Sequence, residues 1–240
     1  MKRQQTRRLL LFISLLLFPI FMNFLSPYLI VNGAFEGVLA GSAIAFLAQF
    51  LFSMITGRLF CGWLCPMAGL SETLTGVNGK RVTSRSVKRM KFIIWAVWLC
   101  SIIGGFITAG GIKVFNPLYM TESGISVDEP MKYITYYGVI LIFLLICVFA
   151  GRRASCHTIC WMAPFMILGK KLSDLLHLPR LKVRSNKEAC IKCKKCIEVC
   201  PMSIEVMNIP DDRFHKTDDC ILCGMCVDHC PKHCFSYRIK

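Results

Sequence analysis

The run Cys190-Ile-Lys-Cys193-Lys-Lys-Cys196-Ile-Glu-Val-Cys200-Pro201 returns 30 residues later as Cys220-Ile-Leu-Cys223-Gly-Met-Cys226-Val-Asp-His-Cys230-Pro231. Both copies read C-x2-C-x2-C-x3-C-P. Three thiolates at this spacing wrap three irons of a cubane on one tight turn, and the fourth cysteine of such a run ligates the neighbouring cluster. Cross-ligation ties two half-repeats into one unit, which is what an internal duplication supplies. Structural zinc also uses C-x2-C pairs, but it has no use for a third cysteine at the same spacing and a fourth before proline, twice over. The iron-sulfur reading is adopted. Cys234 falls outside the pattern and reads as a small buried residue.

Residues 186–240 therefore resemble a bacterial-type ferredoxin with two 4Fe-4S clusters in a small α+β domain. The resemblance implies that Cys190, Cys193, Cys196 and Cys230 hold one cluster, and Cys220, Cys223, Cys226 and Cys200 the other. Lys192, Lys194 and Lys195 crowd the first turn. Positive charge beside a cluster favours its reduced form, so this cluster is expected to have the higher potential.

Outward from this tail the chain changes character. Its 240 residues are 55% hydrophobic and 18% charged, with mean hydropathy +0.53, which excludes disorder and argues against an ordinary soluble domain. Of the 15 cysteines only Cys61, Cys65, Cys100 and Cys147 lie in the first 150 residues. Two domains are expected: residues 1–185, an α-helical polytopic membrane domain, and residues 186–240, the ferredoxin domain. Stretches 9–31, 37–57, 92–112 and 133–151 each approach the length that crosses a hydrocarbon core of ~30 Å, giving four transmembrane helices. The basic N-terminus, with Ala34 near a cleavage position, also fits a signal peptide, but its apolar run is too long and an uncleaved anchor is expected. Gly37, Gly41 and Ala45, four apart, suit close helix packing.

Lys and Arg accumulate on the cytoplasmic side of membrane proteins. Segment 58–91 holds Arg58, Lys80, Arg81, Arg85, Lys88, Arg89 and Lys91, whereas loops 32–36 and 114–131 hold none. A multi-pass protein of the inner (cytoplasmic) membrane is expected, with both termini and the ferredoxin domain cytoplasmic. Loop 114–131, with Glu122, Asp128 and Glu129, then faces outward as a docking surface. The excess of 29 Lys and Arg over 14 Asp and Glu forms no basic stripe interleaved with aromatics, so no nucleic-acid partner is expected. The run from 80 to 91 reads as topogenic, or as a dock for an acidic partner or anionic lipid.

A second repeat sits in the apolar part: Arg58-Leu-Phe-Cys61-Gly-Trp-Leu-Cys65-Pro66-Met67-Ala68 and Arg153-Ala-Ser-Cys156-His-Thr-Ile-Cys160-Trp161-Met162-Ala163. Both obey R-x2-C-x3-C-x-M-A. Each follows a pair of spans, which makes two parallel hairpin repeats with four thiols converging at the cytoplasmic rim. Pro66 pushes Cys65 out of the helical region, onto a helix end or turn. The four thiols fit a third 4Fe-4S cluster, a dithiol relay, a copper(I) site or inert packing. Cys100 and Cys147, within spans, read as inert.

Taken together these motifs resemble the NapH-like family of membrane ferredoxin proteins, which includes quinol dehydrogenase components. The resemblance implies four spans and an electron-transfer role. One departure is Trp161, where the family has proline after the second pair; His157 is unexplained. Phe165, Leu168, Leu172, Leu175 and Leu176 recur at helical spacing and read as an interfacial helix, with Pro179 to Ser185 as a basic linker.

No histidine precedes His157, so the spans supply no paired haem ligands, and no C-x-x-C-H occurs. Nucleotide-binding loops and the G-x-G-x-x-G fingerprint of flavin or nicotinamide sites are absent as well. The expected function is a membrane-bound iron-sulfur protein, an electron-transfer subunit of a quinol dehydrogenase or other membrane oxidoreductase. It would pass electrons between the quinone pool and a partner redox protein. The alternative is a copper-binding or copper-reducing assembly factor that uses the C-x3-C pairs.

Overall fold

The computed structural model describes residues 2–121, 125–186, 188–208 and 217–239; Glu122 of the acidic loop lies outside them. Helix α1 (Lys2–Phe21) runs from the basic N-terminus into apolar sequence and carries Pro19 near its end. Proline withholds a donor from the preceding turn. The chain tightens over Met22–Leu25, and α2 (Pro27–Glu36) restarts behind an extended Ser26 with Pro27 in its first turn, where no N–H is required. Next come β1 (Val38–Ala40), α3 (Gly41–Thr56), and two short helices, α4 (Leu59–Trp63) and α5 (Pro66–Thr73). The second half repeats the order: α6 (Arg85–Thr108), β2 (Val114–Asn116), α7 (Pro130–Ala150), α8 (Ala154–Thr158) and α9 (Met162–Leu175).

Three helical stretches are long and apolar enough to cross a membrane: Lys2–Glu36, Arg85–Thr108 and Pro130–Ala150. Only 17%, 11% and 17% of their most apolar windows is buried, so these side chains face outward, as a lipid-solvated bundle requires. The fourth expected span is shorter than its sequence suggested. Helix α3 has 16 residues, about 24 Å of rise, because residues 38–40 are drawn into parallel pairing with β2, Val38 opposite Val114.

Equivalent contacts recur in the two halves. Helix α4 lies on α1 as α8 lies on α6, and α5 packs against α1 and α7 as α9 packs against α6 and α3. The α3–α9 contact depends on Gly169, where a Cβ would run into the Ser53 hydroxyl and the Phe50 carbonyl. Of the small residues singled out by spacing, Gly41 instead faces the Pro117 carbonyl. Helix α9 therefore packs along α3 through buried Met166, Ile167, Gly169 and Ser173, and leaves Leu168, Leu175 and Leu176 outward.

The segment read as a basic linker contains β3 (Leu181–Ser185), which pairs antiparallel with β4 (Phe235–Ile239) and brackets the one-turn helices α10 (Lys195–Glu198) and α11 (Met225–Asp228). This C-terminal unit is seated on the start of α1. The Gln4 side-chain amide donates to the Cys223 carbonyl at 3.0 Å, and Arg3 pairs with Asp228.

Candidate functional site

The two cysteine runs fold alike down to single dihedrals. In the first, Lys192 and Lys194 take left-handed φ values of 55° and 60°; in the second, Leu222 and Gly224 take 52° and 75°. These turns aim the thiols inward. Cys190, Cys193, Cys196 and Cys230 line one cavity, and Cys200, Cys220, Cys223 and Cys226 line another. The fourth sulfurs receive matching backbone donors, Ile204 N–H to Cys200 Sγ at 3.4 Å and Cys234 N–H to Cys230 Sγ at 3.3 Å. Cys234 is buried, as expected, and borders the first cavity.

A cubane takes each thiolate on a different iron, and two cavities each lined by four cysteines suit that arrangement. Burial also pushes the Cys223 thiol up to about 12, with Cys200 adding to the effect. A bare thiolate is unfavourable there, so the thiols ionise only with a cationic centre to receive them.

The turn of the second run is capped by the membrane unit. The Leu222 carbonyl accepts from Trp63 Nε1 at 3.1 Å and from the Tyr237 hydroxyl at 2.8 Å. Gly62 lies so close that a Cβ there would strike the Ile221 carbonyl oxygen. The turn of the first run has no such cover: Ile191, Lys192, Cys193, Lys194 and Lys195 are all exposed. Part of the basic run 80–91 serves the same dock, with Lys91 Nζ 2.7 Å from Asp219, Lys88 at 3.8 Å, and Val82 N–H donating to Ser203 Oγ at 3.0 Å.

The membrane thiols do gather. Cys65 interacts electrostatically with Cys61, Cys156 and Cys160, and Cys61 and Cys156 join the buried core that holds the second ferredoxin run. Cys65 caps α5 in extended conformation (φ −74°, ψ 122°) ahead of Pro66, the geometry that proline imposes on its predecessor. Arg7 donates to the Gly62 carbonyl and Ser14 to the Leu64 carbonyl, so the motif runs about 10 Å along α1. There Cys65 packs among Leu11, Phe18 and Phe143.

Both motif arginines are 1% exposed. Arg153 donates to the Cys61 carbonyl at 2.9 Å and pairs with Glu72, which Arg7 also grips at 2.6 and 2.7 Å. Arg58 lies 3.6 Å from Asp219. Burial opposes ionisation of Glu72, but Arg153 and Arg7 outweigh it and hold the carboxyl below its ordinary value. The Nε–H groups of Arg58 and Arg153 have no partner among the described residues. Two orphaned cationic donors flanking four thiols fit an anionic thiolate cluster. His157 is fully buried with neither ring nitrogen partnered among the described residues, and burial pushes it down to about 3, so it is neutral.

Sequence reading missed Gln4, Arg7, Glu72 and Asp219. Arg7 was absorbed into a topogenic charge run. Glu72 carried a usable signal as the sole acid between residues 37 and 121. Cys147, read as inert, is buried with its thiol beside Ser71 and Ser155. Cys100 is exposed on α6.

Two family models match the chain, a 4Fe-4S binding domain over residues 39–84 and a 4Fe-4S dicluster domain over residues 182–231. Among curated relatives, the methylamine utilization ferredoxin-type protein MauN of Paracoccus denitrificans is 26% identical over 73% of this chain and 60% of its own length. The putative electron transport protein YccM of Escherichia coli is 27% identical over 75% of this chain and 51% of its own. Protein RdxB of Cereibacter sphaeroides is 24% identical over 68% and 39%. The chain thus spans between two-fifths and three-fifths of the length of these relatives. No solved structure matches it.

Proposed function

We propose that this ferredoxin-type protein is a multi-pass membrane electron carrier that links the quinone pool to a partner oxidoreductase. Its three 4Fe-4S sites would lie in the order membrane thiols, Cys200/Cys220/Cys223/Cys226, then Cys190/Cys193/Cys196/Cys230. The observation that carries this reading is the single buried core that joins Cys61 and Cys156 to cysteines of both ferredoxin runs, with Gly62 pressed on Ile221 of the second. Bound clusters would supply one-electron carriers that need no organic cofactor. The chain's own residues set the rest. Arg58 and Arg153 bring positive charge to the membrane thiols, Trp63 and Gln4 hold the second turn against them, and Cys193 leaves the first turn open to solvent. The 4Fe-4S binding-domain match over 39–84, which includes Cys61 and Cys65, supports a third cluster.

Four crossings follow if β1 completes the short span. Three extended residues add about 10 Å to the about 24 Å of α3. The basic 58–91 segment then lies cytoplasmic, together with both termini and the ferredoxin unit. A quinol such as decylubiquinol should bleach the cluster absorption of purified protein under anaerobic conditions. A spectrum left unchanged by quinol but bleached by dithionite would overturn the quinone link.

A second reading has its own support. Cys61 Sγ lies 3.4 Å from Met166 Sδ, and paired soft sulfurs suit copper(I). Anaerobic copper(I) titration separates the two. Tight binding lost in Cys61→Ser and Cys156→Ser would establish the copper site, and weak binding unaffected by those changes would remove it.

A further inference from the structure

The two halves of the membrane unit differ beside their second cysteines. On the Cys160 side the space is filled: Phe46, Trp95, Trp98 and Phe165 pack with ring centroids 5.4 to 5.6 Å apart. On the Cys65 side there is a cavity of about 410 Å³ between the broken first span and α7. Buried Cys65 and Phe18 mark its inner end and exposed Tyr28 and Thr135 its mouth, and Val139, Trp161 and Lys132 also line it. Tyr28 is 65% exposed on the outer face of α2.

We propose that this cavity seats the headgroup of an isoprenoid quinone. The proposal rests on the membrane electron-transfer reading and adds the place of binding. Three features select the occupant. First, the cavity lies between long helices with apolar outward faces and is lined mostly by apolar side chains, with Lys132, paired with Asp128, Met120 and Ser126 also lining it, so a solute with an apolar tail fits it. Second, the inner end is Cys65, one of the four gathered thiols, so a redox carrier bound there has contact with that site. Third, the volume falls within the about 300 to 1,000 Å³ of small-molecule sites. The hydroxyls of Thr135 and Tyr28 offer donors at the mouth to quinone carbonyl oxygens, and the break at Ser26–Pro27 parts α1 from α2 where a tail would leave.

Ubiquinone-1, soluble enough to dialyse, is the probe. Equilibrium dialysis against the full chain in nanodiscs should show saturable binding near one per chain. Val139→Trp, which fills the cavity, should weaken binding at least about tenfold. The near-isosteric Thr135→Val, which removes one donor, should weaken it about threefold. Iron content, equal in all three proteins, reports that the fold is intact. Binding unchanged in both variants overturns the proposal, as does retention of phospholipid with no saturable ubiquinone-1 in iron-loaded wild type. An iron count showing only the two ferredoxin clusters, with quinone binding still abolished by Val139→Trp, would refute the third cluster and leave the cavity assignment standing.

Discussion

In the C-terminal unit each cavity takes three thiols from seven consecutive residues and one from the partner run, and the backbone alone aims them. In the membrane unit the four thiols come from two motifs 95 residues apart, Cys61 to Cys156. They gather only because α4, α5, α8 and α9 pack between spans and because buried charges bind the motifs together. Local spacing builds the first kind of site, whereas tertiary packing and buried ion pairs build the second. The two should therefore fail under different changes.

The largest expected effect is on the ion network. Glu72→Ala strands Arg7 and Arg153, both 1% exposed, and breaking such a buried pair costs about 3 to 5 kcal/mol. Loss of the membrane site with both ferredoxin clusters retained, read by iron analysis and thermal unfolding, would sharpen the contrast. Equal loss from both sites would break it. The carboxyl of Glu72 is held below its ordinary value, so its contribution is present above the unfolded-state value near ~4.3 and fades as pH falls through the lower folded value. The stability gap between wild type and Glu72→Gln should be full at neutral pH and shrink in acid.

Next in size is the seam between the two regions. Gly62→Ala drives a methyl group into the Ile221 carbonyl and should loosen docking by about 1 to 3 kcal/mol. Limited proteolysis near residues 176–180 reads the loosening. Gly104→Ala, with open space around it, is the control and should be silent. Arg153→Gln should lower the potential of the membrane site by on the order of 50 mV, one charge-assisted donor, and leave the ferredoxin potentials in place. Redox titration followed by EPR measures both. The smallest effect belongs to the first turn. Lys194 holds a left-handed φ of 60° where the second run has Gly224, so Lys194→Gly should stabilise the unit by about 1 kcal/mol. It should also shift the first cluster to lower potential, visible in the same titration.

The matching turns of the two cysteine runs were legible because their information is local, in cysteine spacing and a proline after the fourth thiol. Apolar stretches likewise disclosed three long helices. The short α3 was not legible, since strand pairing of Val38–Ala40 with residues 114–116 is a contact across the chain. Nor was the seat of Cys65 against α1, where Ser14 meets the Leu64 carbonyl. Arg7 and Lys91 carry a second role that the sequence did not disclose: both are 1% exposed and paired with Glu72 and Asp219, partners that only folding reveals.

Iron analysis of anaerobically purified protein tests the central claim, that the membrane thiols hold a cluster of their own. The account predicts about twelve irons per chain in wild type and about eight in Cys65→Ser, with ferredoxin EPR signals unchanged. A count of about eight in both proteins would contradict it.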